Sequence, residues 1–150
     1  MIMITKALCI VFLSILVLGC DDERGVVPNM HDGRVPDIIG LTYSVDTNAV
    51  GQKLIRIRWG YDSLKYGTDR IAANLRDWEI YRSSTDTSQF TSRGKTFFPQ
   101  WDDASAEVQP GGRDSVIIYY RIFPNGYVVD NIQFIGKPTE VIEIIVKKKK

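Results

Sequence analysis

The chain has 150 residues, enough for one domain with its own core, with 19 basic and 18 acidic side chains and a formal charge of +1. That balance lacks the basic excess by which nucleic-acid-binding proteins hold phosphate, so nucleic acid is not an expected partner. Two cysteines and one histidine, His31, leave no His/Cys cluster for zinc and no histidine in the body of the domain for a catalytic triad.

The chain opens with an apolar run, Ala7 to Leu18, broken only by Ser14 and preceded by Lys6. Twelve residues make about 18 Å of helix at 1.5 Å per residue. A bilayer core of about 30 Å needs about twenty residues, so the run is too short to span it and reads as the apolar region of a secretory signal. A buried core helix would show a polar face, and this run has none.

The run ends in Val17-Leu18-Gly19-Cys20. This stretch resembles the lipobox of bacterial lipoproteins. An ordinary signal-peptidase site wants small residues at −1 and −3, which Val17 and Leu18 serve poorly. The resemblance implies cleavage between Gly19 and Cys20, a signal peptide over residues 1–19, and lipidation of Cys20 with acyl chains such as palmitate. Two or three chains, at about 0.8 kcal/mol per buried CH2, hold a protein where one does so only reversibly. Removing 19 residues leaves 131 and takes away Lys6, so 18 basic groups face 18 acidic ones. Cys9 leaves with the signal and Cys20 carries lipid, so the mature domain has no disulfide and rests on its core alone. The implied location is a bacterial cell envelope, anchored to a membrane by lipid.

Residues 20–35 are the lipidated cysteine and a polar, proline-containing stretch, expected to be a flexible tether. Asp21-Asp22-Glu23 behind the lipid reads as a solvated spacer or as a sorting signal: an Asp after the lipidated Cys resembles an inner-membrane retention signal in enteric bacteria, and an acidic run resembles a surface-export signal in other lineages.

From residue 36 onward the pattern turns to period-2 alternation, the mark of half-buried strands. Ile39, Leu41, Tyr43 and Val45 share one face of a first strand. Ile55, Ile57, Trp59 and Tyr61 share a face of the second, with Arg56 and Arg58 opposite. Trp78 and Ile80 alternate with Glu79 and Tyr81, and Val116, Ile118, Tyr120 and Ile122 alternate with Tyr119 and Arg121. Ile142, Ile144 and Val146 form the last strand. Shorter strands are expected near 89–98, 106–108 and 127–134. Pro110-Gly111-Gly112, Asn125-Gly126 and Gly136-Lys137-Pro138 are turn signals, Asn125-Gly126 suiting a tight hairpin. One short helix is expected over Thr68–Leu75, capped by Thr68 or Asp69. About seven strands without long helices predict an all-β, immunoglobulin-like β-sandwich over residues 36–146, followed by a basic tail at 147–150. Trp59 and Trp78 are expected to face each other between the sheets.

The order of these segments resembles a fibronectin type III domain. Pro36 opens the first strand and Trp59 closes the second, in Ile55-Arg56-Ile57-Arg58-Trp59. Trp78-Glu79-Ile80-Tyr81-Arg82-Ser83 is similar to the W/Y-x-I/V-Y-R-S of bacterial members, and Phe90 follows it. Trp101-Asp102 matches the aromatic-Asp step before the fifth strand. Tyr119-Tyr120-Arg121-Ile122 is similar to the YYRV of the sixth. Val129-Asp130-Asn131 and then Gly136 to Val141 resemble the approach to the last. The chain departs from the pattern in a longer Asp62–Asp77 loop, in an insertion at Phe123–Tyr127, and at Ile118, where the family's tyrosine corner would fall. The resemblance implies contact with proteins or glycans through loops and edge strands, here the Asp62–Asp77 loop and the Phe123–Tyr127 hairpin.

Tyr81, Tyr119, Phe123 and Tyr127 fall on outward or loop positions, either as a contact patch for an envelope protein or glycan or as cross-strand pairs that stiffen a sheet. Lys147–Lys150 could touch an anionic head-group layer at about 1 kcal/mol per lysine, or guard the edge of the last strand. Asp102-Asp103 with Asp114 lacks the oxygen spacing of a calcium loop, so no metal and no cofactor is implied. The expected function is a lipid-anchored, non-catalytic binding or structural module, with an accessory subunit of an envelope secretion, assembly or transport complex as the alternative. A polysaccharide-acting enzyme is a third reading, but no carboxylate pair is nominated for it.

Overall fold

The computed structural model describes residues 32–129 and 131–148, which belong to one compact unit, His31–Lys150. Gly19, Cys20, the tether through His31, Asp130 and Lys149–Lys150 lie outside the described residues.

The described residues form a two-layer β-sandwich. Strands β1 (Ile38–Thr47), β2 (Lys53–Tyr61) and β5 (Gln100–Asp103) make an antiparallel sheet in the order β1-β2-β5. The facing sheet has five strands: β3 (Asp77–Ser83), β4 (Thr91–Thr96), β6 (Ser115–Val129), β7 (Ile132–Ile135) and β8 (Ile142–Lys147). Its order is β4-β3-β6, after which β8 pairs the first half of β6 and β7 the second.

The alternation read from the sequence places the core. Ile55, Ile57 and Trp59 point inward from β2, Trp78 and Ile80 from β3, Val116, Ile118, Tyr120 and Ile122 from β6, and Ile142, Ile144 and Val146 from β8. Trp59 and Trp78 meet across the layers edge to face, with centroids 5.8 Å apart. This offset geometry suits the ring quadrupoles better than a face-to-face stack.

Several expectations are corrected. In β1 the inward residue at the start is Ile38, not Ile39. Gly40, at φ +61°, sits in a register shift between Ile39 and Thr42, and this turns Ile39 outward. The helix is not at Thr68–Leu75, which folds as consecutive turns; it is the single turn α1 (Ser63–Tyr66), where the Asp62 carboxylate accepts from the Leu64 and Lys65 N–H groups. Ala106–Val108 is a 3-10 turn that buries Val108 rather than a strand, and the fifth strand contains Trp101-Asp102 instead of following it.

Asn125-Gly126 is not a hairpin turn either. Both residues lie inside β6, and the hairpin closes beyond Val129. Asn125 is buried and its Nδ2 donates to Asp77 Oδ1 at 2.7 Å. A Cβ at Gly126 would stand 2.8 Å from Val35 Cγ2 and 3.1 Å from the Asn74 carbonyl, so the glycine serves close approach. Finally, Asp32–Val35, assigned to the tether by the sequence, are folded here. Asp32 N–H donates to the Ile135 carbonyl at 3.0 Å, and Val35 is 1% exposed in the core.

Candidate functional site

Two groups of side chains carry chemistry beyond the apolar core. One lies on the outer face of the five-stranded sheet, the other between the layers.

The outer face holds three of the four aromatic residues singled out in the sequence, Tyr81, Tyr119 and Phe123. Tyr81 on β3 and Phe123 on β6 are brought together, their rings 5.0 Å apart and tilted by 61°. The Arg121 guanidinium, directly opposite Tyr81, lies 5.5 Å from the Phe123 ring centre. Tyr119 shares this face, between Ser83 on β3 and Glu143 on β8. Next along the same face, Ile117 and Ile145 oppose each other and are 41% and 49% exposed. Tyr127 is not joined to the group. It follows the register shift after Asn125, where its N–H donates to Asn74 Oδ1 at 3.2 Å. The outer face is thus a stripe in which Tyr81 and Phe123 are partly spent on each other.

The second group was not foreseen. Arg82, Asp103 and Tyr120 are 4%, 6% and 0% exposed. Asp103, at the end of β5, belongs to one layer; Arg82 and Tyr120 belong to the other. Arg82 Nη1 donates to Asp103 Oδ2 at 2.6 Å, and the Tyr120 hydroxyl donates to the same oxygen at 2.8 Å. Asp103 Oδ1 accepts from the Ser105 N–H at 3.0 Å. Arg82 also donates to Ser105 Oγ, and its Nη2 meets Glu107 Oε1 at 3.0 Å.

Burial works against the charge on Asp103, but the bonds from Ser105, Arg82 and Tyr120 outweigh it and hold the carboxyl below its usual range. Burial and then the Asp103 charge push the Tyr120 hydroxyl far up, so it stays a neutral donor. The cluster is therefore a closed network that ties the layers together. Asp102, beside it in sequence, faces the other way and pairs with Arg56 at 3.4 Å.

A signal for this cluster was present in the alternation. Arg82 continues the inward phase of Trp78 and Ile80, and an inward arginine requires a carboxylate partner. Nothing local marks Asp103 as that partner, because it stands 21 residues away on a four-residue strand.

At the outer end of the cluster, Arg82, Ser84, Thr85, Gln89, Arg93 and Glu107 line an open hollow of about 200 Å³. Arg82 and Arg93 both approach Glu107 there, so the exposed carboxylate already partners the cations. Among the described residues no group of three or more His, Cys, Asp or Glu side chains is placed to hold a metal ion. No described helix is long and apolar enough to cross a membrane. In comparisons with known proteins, no family model matches the chain, and no curated protein matches it.

Proposed function

We propose that this chain is a lipoprotein of a bacterial envelope, held to a membrane through acyl chains on Cys20, whose sandwich is a non-catalytic binding or structural module similar to fibronectin type III. The observation that carries the reading is Val17-Leu18-Gly19-Cys20 at the end of a short apolar run behind Lys6.

The strand order supports the domain part of the reading. Immunoglobulin constant-type domains keep the fourth strand beside the first sheet, whereas here β4 pairs β3 in the second. The resulting β1-β2-β5 sheet facing β4-β3-β6-β8, with β7 on the second half of β6, is a sandwich of two antiparallel sheets, the architecture that the resemblance implies. The non-catalytic part is supported by the Arg82–Asp103–Tyr120 cluster. Its buried ionisable groups are bound to one another, which suits a rigid scaffold. Contact then falls to the outer stripe, where an envelope protein or glycan would meet Tyr81, Tyr119 and Phe123.

One observation favours the alternative of an accessory subunit. Ile117 and Ile145 extend the aromatic stripe with aliphatic surface, and permanent interfaces are more apolar than transient ones.

The test is the intact mass of the protein extracted from a bacterial membrane, set beside a Cys20→Ala variant. A chain that begins at Cys20 with added acyl mass, absent in the variant, supports the proposal. An unmodified chain in both overturns it.

A further inference from the structure

We infer that the end of the sandwich at which the chain comes in from Cys20 is a membrane-docking surface, whose apolar loop tips enter the head-group region of a lipid bilayer. The inference rests on the lipoprotein reading for the direction from which the membrane approaches.

The ends of the sandwich are distinguished by the chain path. Asp32 is bonded to Ile135, and the Tyr66 hydroxyl donates to the Gly33 carbonyl at 3.3 Å, so the N-terminal segment, the β2–β3 connection and the β6–β7 hairpin share one end. Eleven residues separate Cys20 from Asp32. At most they reach about 40 Å, so an anchored Cys20 keeps this end within reach of its bilayer. Lys147 pairs with Ser115, ten residues along β6 from Asn125. That is about 34 Å at 3.4 Å per residue, so Lys147 stands at the far end.

The N-terminal end carries a set of bare apolar side chains. Leu64 is 99% exposed, Ile71 71%, Phe98 68% and Phe97 56%, with Val129 and Val128 half exposed on the hairpin. They sit on three connections that brace one another. Arg70 Nη1 donates to the Phe97 carbonyl at 3.0 Å and its guanidinium lies 5.6 Å from the Phe97 ring centre, while Tyr127 N–H is held by Asn74. Apolar side chains on separate projecting tips offer no groove to a folded partner. They match a fluid apolar phase, into which interfacial segments sink about 5–10 Å. The charges nearby are balanced, Asp62 and Asp69 against Lys65 and Arg70, so burial of apolar surface rather than attraction to anionic lipid drives the contact. At the far end the described loops carry one such side chain, Val50.

The experiment uses the full chain as extracted, placed in phosphatidylcholine vesicles that contain a phosphatidylcholine with a photo-crosslinking group in its acyl chain. Crosslinked peptides are mapped by mass spectrometry, and the intact mass is measured on the same sample. Crosslinks are expected on Asp62–Arg76, on Phe97–Pro99 and on the β6–β7 hairpin, and not on Asn48–Gln52 or Ser84–Gln89. A Leu64→Ser/Phe98→Ser chain, altered only at exposed positions, should lose most of them. No crosslink at the N-terminal end, or equal labelling of both ends, overturns the docking surface whatever the mass. Crosslinks at the N-terminal end of a chain that carries no acyl mass uphold the docking surface and overturn the lipoprotein reading alone.

Discussion

The Tyr120 hydroxyl reaches across the sandwich to Asp103 Oδ2, 2.8 Å away, and so links the second layer to the first through a buried charge. A hydrogen bond to a charged group contributes about 1.5–3 kcal/mol. Tyr120→Phe removes the donor and leaves Arg82 and Ser105 on the carboxylate, so it should destabilise within that range. Asp103→Ala is expected to cost more, about 3–5 kcal/mol, because Arg82 is then buried without its closest counter-charge. Urea unfolding of both variants checks the ranking; equal effects would mean that the Arg82 guanidinium is rescued by Glu107.

The same carboxylate gives the fold an acid limb. The pKa of Asp103 is lower in the folded chain than its ordinary value, so the unfolded chain binds its proton first. Its stabilising contribution is complete above the unfolded value of about 3.9 and is lost as pH falls through the folded one. The urea midpoint should therefore drop on acidification below about pH 4, and Asp103→Asn should flatten that drop. An unchanged slope in the variant would assign the acid limb to the other carboxyls that sit low: Asp32 through bonds from Arg34, Asp86 through bonds from Ser88, and Glu107 through its own backbone N–H and the Arg82 charge.

Gly126 tests why a turn signal became strand. Gly126→Ala puts a methyl 2.8 Å from Val35 Cγ2 and 3.1 Å from the Asn74 carbonyl, and the backbone oxygen has little room to retreat. Overpacking of this kind costs about 1–3 kcal/mol. Gly112→Ala, with open space around it, should be nearly neutral. If both are neutral, the contact of the hairpin with the N-terminal segment is looser than the structure has it.

This position shows where local reading stops. Strands β2, β3, β8 and the first half of β6 were legible because large apolar residues recur at every second position of each, and the face they share is buried. Asn125-Gly126 carries the strongest short-range hairpin signal, but that signal assumes that neither residue has a tertiary role. Asp77 captures the asparagine side chain and Val35 occupies the glycine's open side, from 48 and 91 residues away in the chain. The same limit hid the Asp103 cluster and the exposed Leu64, Ile71 and Phe98, which only the fold brings to one end. The outer aromatic face was readable because Tyr81, Tyr119 and Phe123 belong to strands whose phase was already fixed.

Val35 marks the start of the folded unit. Its side chain is 1% exposed and meets Gly126 and Gly136, so Val35→Ala should cost about 1.5 kcal/mol or more. Asp37→Ala, two residues on and exposed, should stay within about 0.5 kcal/mol. Thermal unfolding of the pair checks this, and equal melting temperatures would return Val35 to the tether.

Phe123 and Tyr119 separate the two readings of the outer face. Phe123 stacks edge-on with Tyr81, a contact that contributes about 0.5–1.5 kcal/mol beyond the area it buries. Tyr119 shares the face, and among the described residues no ring pairs with it. If the stripe only stiffens the sheet, Phe123→Ala lowers stability, Tyr119→Ala barely does, and neither alters what co-purifies from membranes in mild detergent. If the stripe is a contact surface, Tyr119→Ala removes co-purifying envelope proteins at nearly unchanged stability. Unfolding curves and pull-downs on the same two variants decide between them, because pairing depends on the ring partner while docking depends on the face.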